Sequence, residues 1–221
     1  MNLSRIEYYF SDFLSLMENE PDKREIKLVN IKLKKNNNTI DNEYYGLTEG
    51  HTLKIPNNVW FVGTANRDES TYDISDKVYD RAYTMNFDKR ATKLASYNEP
   101  LNPKYISSET LNKLFDEAKN NIKFSIDNNE TILAVEKLLA PYNISFGNRI
   151  ATQIETFVKI YASCFNSSID VINDALEIIL LSKVVRKLEL KNIEDKDELA
   201  NEFANLNLKR CSEFILNLKE D

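Results

Sequence analysis

The sequence predicts an α/β portion over residues 1–100 followed by an all-helical domain over 101–221. Three observations carry that division. A continuous apolar run, Val59-Trp60-Phe61-Val62, reads as a central parallel strand covered on both faces, with a hairpin pattern before it at 26–55. From about Ser107 onward, apolar residues recur at spacings of three and four, the period of amphipathic helices. Between the two, Asn98-Glu99-Pro100-Leu101-Asn102-Pro103 is a proline-containing connection.

Composition narrows the function classes. The 221 residues carry 29 Lys plus Arg against 35 Asp plus Glu, a net charge of −6, which argues against a dedicated nucleic-acid coat protein. Hydrophobic residues at 42% with only 4 Gly and 5 Pro describe a folded chain rather than a disordered one. No apolar stretch approaches the ~18 residues of a membrane span, and the first residues lack a signal peptide's apolar segment, so the expected location is the cytoplasm with no membrane partner. Cys164, Cys211 and His51 are isolated, which supports neither a disulfide framework nor a metal site.

Each element follows in order. Leu3, Ile6, Phe10, Phe13, Leu14 and Met17 form the apolar stripe of one helix over residues 2–19. A helix with so strong an apolar face has no preceding element to pack on, so the sequence is expected to begin inside a larger domain. Ile26 to Lys34 alternates apolar and polar residues, with a phase slip at Val29 that suits a bulge, and reads as a strand. Turn residues at 35–38 lead to one or two return strands between Glu43 and Ile55. The exposed face of this hairpin carries Lys27, Lys32, Lys34 and Lys35, which can contact a polyanion or peptide substrate, or can simply solubilise an edge strand.

The strand at 58–66 ends in Gly63-Thr64-Ala65-Asn66. Ligands of open α/β sheets sit beyond the carboxyl ends of such strands, so Thr64 and Asn66 mark a candidate crevice. A neutral amide there can orient a water or a phosphate oxygen without adding charge. Residues 66–70 read as a polar loop, 75–82 as one or two helical turns, and Tyr83–Phe87 as another strand. The helical half then shows stripes at Leu111/Leu114/Phe115/Ala118, Ile132/Val135/Leu138/Leu139, Ile150/Ile154/Phe157/Val158/Tyr161 and Leu176/Ile179/Leu180/Val184/Leu188, with a last segment from Leu199 to Leu218.

Gly63-Thr64-Ala65-Asn66 resembles the GTxN form of sensor 1 in AAA+ nucleoside triphosphatases, most closely the McrB-like branch associated with modification-dependent restriction. Asp76-Lys77-Val78-Tyr79-Asp80-Arg81 is similar to the stretch that carries that family's arginine finger, although a single arginine stands where the family often has two or three. Ser145-Phe146-Gly147-Asn148-Arg149-Ile150 resembles the sensor 2 region of the AAA+ lid, and Leu180 to Leu188 the end of that lid. Asn2-Leu3-Ser4-Arg5 is similar to the segment directly after the Walker B acids.

The resemblance implies a fold and a set of roles. The fold is a partial AAA+ core with a β-hairpin insertion at 26–55, followed by an all-α helical lid. By the match, Asn66 would position the attacking water and Thr64 would bind nucleotide. Arg81 would act in trans as the arginine finger, with Arg67 the competing candidate, and Arg149 would sense nucleotide from the lid. Asp68 would contact the nucleotide or a neighbouring subunit. No G-x-x-x-x-G-K-[ST] and no Walker B pair occurs, so this chain alone is expected to bind no cofactor and to be inactive. In the complete module ATP or GTP with Mg2+ would be bound by a homo-oligomeric ring, with a nuclease subunit and DNA as partners. The competing reading is a non-catalytic interaction module that docks on a nuclease subunit or nucleic acid.

Overall fold

The computed structural model describes residues 2–28, 47–48, 52–66, 71–85, 87 and 104–218, and the chain divides into two compact units, Met1–Ala82 and Tyr83–Asp221. The described residues are mostly helical, with one small antiparallel sheet. No described helix is long and apolar enough to cross a membrane.

The first unit contains α1 (Ile6–Tyr9), α2 (Ser11–Leu16), a 3-10 turn at Pro21–Lys23, β1 (Glu25–Lys27), β2 (Leu47–Thr48), β3 (Thr52–Lys54) and α3 (Asp76–Tyr79). The strands lie in the order β1-β3-β2, all antiparallel, with Ile26 opposite Leu53. These strands are the two ends of the expected hairpin; its middle lies outside the described residues. Leu16, Ile26 and Ile55 are buried together, and Phe13, Leu53 and Val59 pack around them.

Two expectations are corrected here. The single helix over 2–19 is two short ones, broken at Phe10, where φ −118° and ψ 2° leave the helical region. The reason is tertiary: α1 packs on α3 and α2 on β1, so the stripe serves two different surfaces, and helices this short hold only through packing. The central parallel strand expected at 58–66 is not there: Asn58 belongs to a turn, and residues 59–66 have no regular secondary structure and lie outside the described sheet. Trp60 is 71% and Val62 93% exposed, so the run is not covered on both faces. Val59 packs on the small core, and the Phe61 ring lies 5.6 Å from Phe10 and 5.4 Å from Phe13. Without a described strand alongside, apolar sequence by itself makes no ladder.

The second unit holds α4 (Ser108–Asn121), α5 (Glu130–Leu139), α6 (Asn148–Ser163), α7 (Ile169–Lys183), a 3-10 stretch at Val185–Leu190, α8 (Lys196–Asn205) and α9 (Lys209–Leu216). Val135, Leu139, Ile154, Val158, Ile179, Leu180, Leu188, Phe203 and Ile215 are completely buried in one core, as the helical stripes predict. The stripe on α4 is the exception, since none of its residues is buried and Leu114 stays half exposed. The expected strand at Tyr83–Phe87 is also corrected: Tyr83–Met85 is irregular. Side-chain contacts to the helical unit take the place of a ladder there. The Tyr83 ring stacks on Phe157 at 5.8 Å and lies 4.6 Å from Lys183 Nζ, while the Thr84 amide donates to Ser182 Oγ at 3.2 Å.

Four helices start on their own side-chain caps, Ser107 for α4, Asn129 for α5, Ser168 for α7 and Asp195 for α8, each accepting a backbone N–H of the first turn. In contrast, α9 follows Leu208, which has no such side chain. Glu177, from the middle of α7, supplies the cap instead: its Oε1 accepts from the Arg210 amide and, at 3.3 Å, from the Cys211 amide. Those two bonds compensate the burial of its carboxylate. Burial, with this carboxylate beside it, pushes the Cys211 thiol well up. Asp174 adds a second tie between helices, accepting from the Tyr161 hydroxyl at 2.8 Å and pairing with Arg210 Nη2 at 2.7 Å.

Candidate functional site

The site is built around Asn66, the last described residue of the stretch 52–66. Its backbone is fixed by Asn2, whose side chain is buried and whose carboxamide makes a two-bond pair with it. Asn2 Nδ2 donates to the Asn66 carbonyl at 2.6 Å, and the Asn66 amide donates to Asn2 Oδ1 at 3.2 Å. The same Nδ2 donates to the Tyr72 carbonyl at 3.1 Å, the Tyr72 amide donates to the Asn2 carbonyl at 3.0 Å, and Thr71 Oγ1 donates to the Asn66 carbonyl at 3.0 Å. Asn2 thus ties Asn66 to Tyr72. The Asn66 side chain is exposed and makes no hydrogen bond among the described residues. A fixed backbone that presents a free carboxamide is what a water- or phosphate-orienting amide requires.

Asn2 belongs to the matched segment 2–5 but was not among the sequence's site candidates, because its partners are 64 and 70 residues away. Replacing it removes three part-buried hydrogen bonds. Asn2→Ala is expected to cost the first unit about 2 kcal/mol, the order of three such bonds at their usual net worth. Trp60, the sole tryptophan, reports that loss as a lower urea midpoint in fluorescence; an unchanged midpoint would show that the clamp carries no stability.

Arg81 lies at the end of α3 and is engaged within its own unit. Its Nη1 donates to the Lys77 carbonyl at 3.0 Å, and its Nε lies 3.0 Å from Glu18 Oε1, an ion pair at partly exposed side chains. Thr64 is exposed, two residues before Asn66. Arg5 sets its guanidinium 5.9 Å from the rings of both Tyr8 and Tyr72. Arg67 and Asp68 lie outside the described residues, as do Lys32, Lys34 and Lys35; Lys27 is exposed on β1.

Arg149 belongs to the second unit, where it is exposed in the first turn of α6. Its neighbour Asn148 lines an open groove of about 400 Å³, together with Lys119, Asp127, Thr152, Glu155 and Lys159. The charges in that groove are mixed, and Lys159 already pairs with Glu155.

Glu7 Oε2 and Asp76 Oδ1 are buried without a hydrogen-bond partner, and among the described residues no three His, Cys, Asp or Glu side chains converge as metal ligands. Comparison with protein-family models, with characterised proteins and with solved structures gives no match to this chain.

Proposed function

We propose that this chain is a carboxy-terminal part of an AAA+ nucleoside triphosphatase of the McrB-like kind, supplying sensor 1, the arginine finger and the lid to a DNA-restriction-related motor. The observation that carries the reading is the Asn2–Asn66 pair. The resemblance assigns Asn2 to the segment after Walker B and Asn66 to sensor 1, and these segments, 64 residues apart, meet through two hydrogen bonds.

In this reading each group has a physical task. The Asn66 carboxamide offers one donor and one acceptor, enough to hold a water in line with a phosphorus without bringing a charge that would repel phosphate oxygens. The Arg81 guanidinium, offered to a neighbouring subunit, neutralises charge developing on the transferred phosphoryl group. Arg149 on the lid helix responds to the bound nucleotide, and the lysine-bearing hairpin faces the pore, DNA or a nuclease subunit. ATP or GTP and the metal that accompanies it belong to the complete ring, because the sequence has neither a G-x-x-x-x-G-K-[ST] loop nor a Walker B pair.

Calorimetry with Mg2+ and ATP or GTP is expected to show no tight binding to the chain alone. When a P-loop- and Walker B-bearing amino-terminal portion is joined to it, hydrolysis should appear, and Asn66→Ala should lower turnover about 10²–10³-fold, the effect of losing one pre-positioned polar group. Tight nucleotide binding by the isolated chain, or undiminished turnover in the Asn66→Ala module, would refute the reading.

A further inference from the structure

The guanidinium of Arg81 is held along one edge and open at its tip. Its Nε is buried 3.0 Å from Glu18 Oε1, its Nη2 donates to Glu18 Oε2 at 3.4 Å, and its Nη1 donates to the Lys77 carbonyl at 3.0 Å. A guanidinium has five N–H groups. With Nε buried and one N–H of each Nη engaged, two remain, one on Nη1 and one on Nη2. Those two belong to the terminal fork, the edge that takes oxyanion oxygens side by side. The carboxylate grips the flank and leaves the fork free.

Both partners are anchored to the first unit's interior. Glu18 stands in the turn that closes α2, two residues beyond buried Leu16, and its amide donates to the Ser15 carbonyl at 3.2 Å. Arg81 follows the buried Val78 and Tyr79 of α3, and its amide donates to the Val78 carbonyl at 3.0 Å. We propose that Glu18 is a positioning residue for Arg81: its side-on grip, with the Lys77 carbonyl, sets the direction in which the terminal fork is offered to a phosphoryl group. The inference rests on the role proposed above for Arg81 and adds to it the group that aims the side chain.

Positioning is where a pair of small energy has a large effect. Solvent screening keeps the contribution of a partly exposed ion pair to stability low. A displacement of about 1 Å at a reacting group, by contrast, can cost about 10²-fold in rate, because the geometry must then be found again in each turnover. An arginine left on its own has many rotamers to lose on meeting a ligand, and one already held by a carboxylate has few. The opposite role has the opposite sign: a carboxylate that merely restrained the cation would slow the reaction, and its removal would speed it.

Two measurements test it. In the full chain, the Arg81 Nε–H resonance, identified by its absence from Arg81→Ala, is expected to be ordered like rigid backbone, with an order parameter of about 0.85, and to fall below about 0.6 in Glu18→Ala. In the module completed with its P-loop- and Walker B-bearing portion, Glu18→Ala should lower turnover about 10–10²-fold with KM for the nucleotide unchanged. It should cost nothing further when Arg81→Ala is already present, since a group that aims another has no effect once that other is gone. A general structural defect would instead add to the loss and lower the urea midpoint of Trp60 fluorescence, which should stay where it is. Undiminished turnover in Arg81→Ala would overturn the role of Arg81 and this inference with it. Normal or raised turnover in Glu18→Ala while Arg81→Ala is slow, additive losses in the double variant, or an Nε–H as mobile in the parent as in Glu18→Ala would overturn this inference alone.

Discussion

Arg81→Ala, in a module completed with its phosphate-binding portion, is expected to lower turnover by about 10³–10⁵-fold, the range that supplied arginines contribute to phosphoryl transfer. The same change should barely touch stability. Arg81 meets Glu18 at 3.0 Å, but the two side chains are 22% and 34% exposed, and a solvent-screened pair of this kind is worth no more than about 1 kcal/mol. The pair is a resting place for the guanidinium rather than a support of the fold. Arg81→Lys keeps a cation near Glu18 but loses the planar fork that spans two phosphate oxygens, so it should restore little of the rate. Turnover of Arg81→Ala within a few-fold of the parent, in a ring shown to assemble, would remove Arg81 from the machinery and leave Arg67 as the candidate.

Phe203→Ala is expected to destabilise the helical unit by about 3–5 kcal/mol, the cost of deleting a buried phenyl ring and leaving a cavity. Phe203 on α8 is completely buried in the main core, whose other fully buried members come from α5, α6, α7, the 3-10 stretch and α9. A void there is felt by every helix that borders it, since packed interiors relax only in part. Chemical denaturation followed by far-UV circular dichroism should show the helical transition moving to lower denaturant with little change in slope. A loss under about 1 kcal/mol would mean that the neighbouring helices collapse onto the vacated volume.

The helical half was legible because its signal is periodic and its reward is local. Ile132, Val135 and Leu139, or Ile150, Ile154 and Val158, declare both a helix and its buried face, and each is buried. Periodicity does not say how well a face is covered, which is why the equally regular stripe of α4 stays half open at Leu114. In the first half the signal was weaker in kind. Val59 to Val62 states what those side chains require, not whether a neighbouring strand stands beside them, and the described residues provide none. The helix over 2–19 failed for a related reason: its stripe is continuous in sequence, but Ile6 and Leu16 bury against different elements.

In both units, the candidate groups that pattern reasoning found were those with a motif around them, Thr64, Asn66 and Arg81 in the first and Arg149 in the second. The roles it missed, those of Asn2 in the first unit and Glu177 in the second, are played on backbone amides far along the chain, and a carboxamide or carboxylate that satisfies a distant amide leaves no trace of that role beside itself in sequence. Even Arg81 could be read only as a cation, because Glu18 is 63 residues away.

The borrowed carboxylate at the head of the last helix has a bearing on how the protein assembles. Glu177 must already be presented by a formed α7 before Arg210 and Cys211 have anything to donate to, and Leu208 offers no substitute. An eight-residue helix without a start signal of its own is poorly populated in isolation. Helix α9 is therefore a follower in folding: its start waits for the scaffold that completes it.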